Sequence, residues 1–188
     1  MLLMRSSGPR RIIDNFNRAD SSKTMGSTSS GELWVPSAGT WGITRGMAYR
    51  SSLEEITQAT TVEWGSADMI VSAELSLNGA STYPALLARY VDTNNYYLVY
   101  LHAGALLIRR RKDGVNVTLS SGQVAADYDR IALSTVEIDG ATRVSVSVNG
   151  TVVYTTEDST LGRPAGTRAG IGAYRTGARF DNFRVEAP

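Results

Sequence analysis

Apolar and polar residues alternate along this chain in short runs, and pairs ending in glycine interrupt them at nearly regular intervals. From Thr60 onward the pairs are Asn78-Gly79, Ala103-Gly104, Asp113-Gly114, Asp139-Gly140 and Asn149-Gly150. Asn-Gly and Asp-Gly supply the positive φ angles that tight hairpin turns need. The runs between them are Asp68 to Leu77, Ala85 to Val91, Tyr96 to His102, Leu106 to Lys112, Val115 to Leu119, Arg130 to Ile138, Thr142 to Val148 and Thr151 to Thr156. Their spacing predicts strands. Ile12 to Phe16 predicts an opening strand, and Gly42 to Arg50 predicts two short strands around Arg45-Gly46. Only Ser51 to Ala59 reads as a helical turn, with Ser51 or Ser52 as its cap and Glu54 or Glu55 in its first turn. So many strands with almost no helix predict an all-β sandwich or barrel.

Three stretches sharpen that expectation. A two-residue turn at Asn149-Gly150 pairs Val148 with Thr151, Val146 with Val153 and Val144 with Thr155. It sends Val144, Val146, Val148 and Val153 to the core, and Ser145, Ser147, Val152 and Tyr154 to solvent. The run Tyr96 to His102 is apolar on both parities, which predicts a central strand covered on both faces. The last stretch, Pro164 to Glu186, reads as two strands around Arg175-Thr176-Gly177. Its second strand carries Phe180 on one parity and Phe183 on the other, so it too reads as covered on both sides. The triplet Asp181-Asn182-Phe183 repeats Asp14-Asn15-Phe16. The first and last strands are therefore expected to lie side by side and close the domain. Trp34 and Trp41, around Pro36 to Gly39, are expected as lids on the core.

Composition narrows the function classes. The 188 residues suffice for one domain with a real core, and 42% hydrophobic with 20% charged residues is ordinary for a globular chain. A formal net charge of +1 favours neither nucleic acid nor an anionic membrane. The absence of cysteine excludes disulfides and thiolate metal sites. No apolar run is long enough to be a signal-peptide core or to span a membrane as a helix, so export by the usual route is not expected. Met1 to Arg11 reads as a flexible basic arm, with residues 12–188 as the domain. The arm is expected first as a loose terminus and second as a docking arm, in which Arg5, Arg10 and Arg11 would meet a partner.

The segments "DNFNRAD", "GELWVPSAGTWGI", "LLARYVDTNNYYLVYL", "RKDG" and "AGIGAYRTGARFDNFRV" resemble the concanavalin A-like lectin/glucanase sandwiches. They are similar, more closely, to the laminin-G-like domains in tail and other virion proteins of phages of actinobacteria. The resemblance spans about Ile12 to Val185. It implies a two-sheet antiparallel jelly-roll sandwich. It also implies a non-enzymatic protein of the virion surface, in the tail or decorating the head, whose lectin-like domain holds host surface glycans. Its partners would be other virion proteins and a host glycan, with a homo-oligomer or multi-copy array raising weak binding. The rival expectations are a structural decoration module without a ligand and a glycosidase.

Candidate chemistry follows. Glycosidases of this fold carry three acids alternating on one strand. The nearest match, Glu137-Ile138-Asp139, runs into Gly140 and has no third acid, so Asp139 reads as a turn residue and Glu137 as a solvent-face residue. No catalytic residue is assigned. His102, without a second histidine, cannot anchor a transition metal. No cofactor is required. Relatives of this fold carry a structural calcium, some where the chain ends meet, which makes Asp14 and Asp181 the candidate ligands; capping of strand ends and loop amides is the preferred explanation of both acids, because two carboxylates are few for a tight site. For a glycan, aromatic faces and planar polar groups cluster at Tyr83 to Tyr100; Tyr90, Asp92, Asn94, Asn95 and Tyr97 are the chosen candidates, although most of the tyrosines are better explained as strand residues with hydroxyls at the wet edge, and the loop Asp92 to Asn95 is the expected exposed polar part. The run Arg109-Arg110-Arg111-Lys112 alternates sides on a strand and makes two pairs, best explained as a solvated edge that blocks strand addition.

Overall fold

A computed structural model describes residues 10–52, 58–79 and 82–188. Its strands, in chain order, are β1 (Arg11–Asp14), β2 (Val35–Pro36), β3 (Trp41–Thr44), β4 (Met47–Arg50), β5 (Gln58–Glu63), β6 (Met69–Ser76), β7 (Tyr83–Asp92) and β8 (Asn95–His102). They continue with β9 (Ala105–Lys112), β10 (Val115–Val124), β11 (Arg130–Ile138), β12 (Ala141–Val148), β13 (Thr151–Asp158), β14 (Arg168–Tyr174) and β15 (Arg179–Glu186). Two antiparallel sheets face each other. One runs β13-β12-β11-β6-β15-β4-β3, with β1 also on β15; the other runs β10-β9-β8-β7-β14-β5-β2. Their inner faces share one core that includes Ile12, Trp41, Leu86, Val99, Leu133, Ile171 and Phe180. Trp34 and Trp41 are both buried. The two-residue turns form as expected: at Asp139-Gly140, for example, φ is 49° and 78°.

The chain ends meet. β1 pairs antiparallel with β15, placing Ile12 beside Val185 and Asp14 beside Phe183. Trp34 lies between the repeated phenylalanines, its ring 6.0 Å from Phe16 and 4.8 Å from Phe183. Phe180, Phe183 and Val185 nevertheless all enter the same core, so β15 is not covered on both faces as its alternation predicted. Its register shifts between Asp181 and Arg184, and Asn182 takes φ 50° there. A bulge adds one residue and reverses the side-chain phase, which returns Phe183 to the interior.

Other expectations are corrected by the same physics. The turn at Arg175-Thr176-Gly177 does not join neighbours: β14 belongs to one sheet and β15 to the other. The Asn149-Gly150 hairpin starts with Val148 opposite Thr151, but a shift then sets Val146 opposite Tyr154. Tyr154 consequently packs on the core, while Val153 is the looped-out residue and 37% exposed. The expected helical turn falls mostly on residues 53–57, outside the described residues, and its last two positions, Gln58 and Ala59, open β5.

Two of the N-terminal arginines lie against the domain. Arg11 belongs to β1 and pairs with Glu186 at 3.3 Å. Arg10 donates to the Trp64 carbonyl at 2.5 Å, and its guanidinium lies 5.0 Å from the Trp64 ring. Both side chains expected to meet a partner are thus engaged with their own domain. Arg5 lies outside the described residues.

Candidate functional site

The outer face of the seven-stranded sheet carries the candidate site. On β8, Tyr97, Val99 and Leu101 turn inward to the main core, whereas Tyr96, Leu98 and Tyr100 join a separate outer cluster with Ala59, Leu87 and Tyr90. β9 follows the same alternation. Leu106 and Ile108 face the core, and Arg110 lies between the sheets. Leu107, Arg109 and Arg111 face outward, opposite Tyr100, Leu98 and Tyr96. The second cover that the apolar run of β8 predicted is therefore a layer of side chains on an open face. The outward side chains of Tyr96, Leu98, Tyr100, Leu107, Arg109 and Arg111, with Tyr83, Ala85, His102, Asn116 and Tyr174, line an open groove of about 540 Å³.

Tyr83 is the centre of the aromatic end. Its ring lies 4.5 Å from His102, 5.3 Å from Tyr174 and 5.9 Å from Tyr100. The Arg109 guanidinium stands 5.2 Å from the Tyr100 ring. The neighbouring strand β14 keeps the face low, because Gly172 sits opposite Ala85 and neither carries a long side chain. A Cβ at Gly170 would come 2.2 Å from the Thr60 carbonyl oxygen, a distance no packed structure tolerates. At the other end Tyr90 stacks on Tyr96 at 5.4 Å, and Arg168 lies 5.0 Å from the Tyr90 ring. Burial raises the phenol pKa values of Tyr90, Tyr96 and Tyr100 against the lowering pull of Arg168, Arg111 and Arg109 respectively. These hydroxyls therefore stay neutral and keep both donor and acceptor capacity.

The candidates named from sequence are divided by this geometry. Tyr90 is 1% exposed and forms part of the outer cluster beside the groove, not its lining. Tyr97 is fully buried on the opposite side of the sheet, donates to Asp158 at 2.6 Å and cannot reach a ligand in the groove. Asp92, Asn94 and Asn95 build the β7–β8 turn. Asp92 accepts from the Asn94 amide and the Asn95 side chain, while the Asn95 Oδ1 accepts from the Asp113 amide. These groups fix one turn against the next. Arg109, Arg111, Tyr174, His102 and Asn116 were missed; the signal was the outward parity of β9 continued across its neighbours. The basic run is not on an edge, because β10 lies outside β9.

The remaining polar candidates serve the scaffold. Arg110 enters the interior and meets Asp158 at 2.6 Å. Burial pushes the Asp158 carboxyl up, but hydrogen bonds from Arg110, Tyr97 and Thr160 outweigh it and hold its pKa at about 2. Glu137 accepts from Arg89 at 3.0 Å and pairs with Arg163. The Arg89 hydrogen bond is the main cause of its lowered pKa, so Glu137 anchors a buried guanidinium and is not merely a solvent-face residue. Asp14 is fully buried, and its two oxygens accept from the Phe16 amide, Ser29, Trp34 Nε1 and both Arg18 Nη atoms. Asp181 accepts from the Asn182 amide, and burial raises its pKa, with Glu74 and Asp14 adding to the rise. The pair does not fit calcium: Arg18 already neutralises Asp14, and donors fill its lone pairs. No cluster of three or more His, Asp or Glu suited to a metal occurs among the described residues.

No known family model and no curated protein sequence matches the chain. Solved structures do. A carbohydrate binding module, CBM66 from Bacillus subtilis, matches with a TM-score of 0.67 at 18% identity, over 82% of this chain and 95% of that one. The Bacillus licheniformis β-glucanase matches with a TM-score of 0.59 at 11% identity, over 98% and 100%. The fold is the concanavalin A-like jelly roll. The Ca2+-bound exoplasmic/lumenal domain of VIP36 shares this jelly roll, with a TM-score of 0.56 at 10% identity over 95% of this chain and 90% of that one. Within the jelly roll, the groove occupies the outer face of the seven-stranded sheet.

Proposed function

We propose that this protein is a non-enzymatic glycan-binding module displayed on a phage particle, in the tail or as a head decoration, in several copies. The observation that carries the binding reading is the groove. It sets tyrosine and histidine rings beside planar guanidinium and amide groups on one rigid sheet, the combination that grips a sugar ring and its hydroxyls. The carbohydrate binding module among the structural neighbours supports the same reading. Hydrolysis with a pair of enzymic carboxyl groups requires acids on both sides of the glycosidic bond. The groove lining has neither Asp nor Glu among the described residues, which favours binding over the glycosidase suggested by the β-glucanase neighbour. The virion setting rests on the sequence resemblance alone. Display in many copies would raise weak single-site affinity.

An array of bacterial cell-surface glycans tests the binding reading. Binding is expected, and Tyr100→Ala should weaken it at least about tenfold, the loss of one well-used aromatic contact. A chain that retains no glycan, or a Tyr100→Ala variant that binds as the parent does, contradicts the assignment and leaves a scaffold without a ligand. Immunolabelling of intact particles tests the setting: label on tail or head is expected, and particles without the chain would contradict it.

A further inference from the structure

We infer that the groove takes an anionic saccharide, one carrying a carboxylate or a phosphate. The inference rests on the glycan-binding reading and adds the chemical class of the ligand. Arg109 and Arg111 stand two residues apart on β9 and both line the groove. Side chains at that spacing on a strand project roughly 7 Å apart from one face, which suits two anionic or hydroxyl groups of a single sugar unit. No acid lines the groove among the described residues, so its own charge is positive.

Arg109 differs from the arginines that hold the fold together. Arg18 meets Asp14, Arg89 meets Asp68 and Glu137, and Arg110 meets Asp158. The Arg109 side chain has no hydrogen bond or ion pair among the described residues; it lies against the face of Tyr100 at 5.2 Å. Its Nε is shut off from solvent and lacks an acceptor. Its Nη groups likewise have no acceptor among the described residues, and it is the Nη end that the groove lining can offer to a ligand. The planar fork of a guanidinium matches carboxylate and phosphate oxygens in particular. Arg111 is only partly used, donating its Nε to the Thr93 carbonyl at 3.0 Å, and Asn116 stands opposite it. Together these groups present unspent donors above a tyrosine-lined floor.

The test is an array on which each neutral saccharide is printed beside its uronate and its phosphorylated counterpart, probed with the full chain at low and high salt. Charged members should be preferred at least about tenfold, and the preference should shrink as salt screens it. Carboxylate and phosphate spots tell the two anion sources apart. Arg109→Gln should abolish the preference, and Arg109→Lys should keep part of it, with thermal unfolding confirming that both variants fold. Equal retention of neutral and charged members, or a preference that survives in Arg109→Gln, overturns the anionic assignment while leaving the glycan reading intact. An array with no retained saccharide overturns both.

Discussion

Asp158 shows how a single carboxylate ties the two sheets together. It lies at the end of β13 in the eight-stranded sheet and accepts from Tyr97 and Arg110, which belong to β8 and β9 of the other. Its pKa falls from an ordinary 3.8 to about 2 on folding. The unfolded chain therefore binds this proton at a higher pH than the folded one. The stabilisation is complete above about pH 3.8, and it is lost as pH falls through about 2. Acid unfolding followed by circular dichroism should show stability from this group falling by about 2 kcal/mol across that window. Asp158→Asn should flatten that part of the curve. It should also cost about 3 kcal/mol at neutral pH, because it strands the buried Arg110. Tyr97→Phe, which removes the donor alone, should cost about 1 kcal/mol by denaturant titration.

At the scale of the strand, the bulges decide which way side chains face. At Asn182 the left-handed backbone is what turns both Phe180 and Phe183 inward. Asn182→Gly should be nearly neutral, whereas Asn182→Val should lose about 1–2 kcal/mol, since a branched residue resists positive φ. Chemical denaturation of the two variants separates them. Gly170 and Gly172 of β14 offer a matching contrast. An added Cβ would meet backbone oxygen at 2.2 Å at Gly170 and at 3.2 Å at Gly172. Gly170→Ala should therefore lower stability by about 1–3 kcal/mol, and Gly172→Ala by less. Turn pairs and alternation made most strands legible in the sequence, and Arg130–Ile138 matches its expected bounds. Bulges were not legible, because the extra residue leaves no compositional mark. That is why Tyr154 and Phe183 were assigned the wrong neighbours or cover.

Across the whole molecule, the repeated Asp-Asn-Phe triplets foretold the meeting of the two ends, and Trp34 completes it between Phe16 and Phe183. Removing residues 1–16 would take β1 and Phe16 away and uncover β15. A loss of about 3 kcal/mol or more in thermal or chemical unfolding is expected. The groove was only half legible. The tyrosines of β7 and β8 drew attention to the right sheet, but Tyr97 and Tyr100 differ only in parity, and Arg109 reads as part of a basic run until β8 and β9 are aligned. A binding face made of alternate residues from several strands is assembled by register, not by sequence proximity. Backbone and side-chain chemical shifts followed by NMR during titration with a retained oligosaccharide test that face most directly. Shifts centred on Tyr83, Tyr100, Arg109 and Tyr174 are the predicted result; shifts confined to other surfaces, with these residues unmoved, would contradict the account.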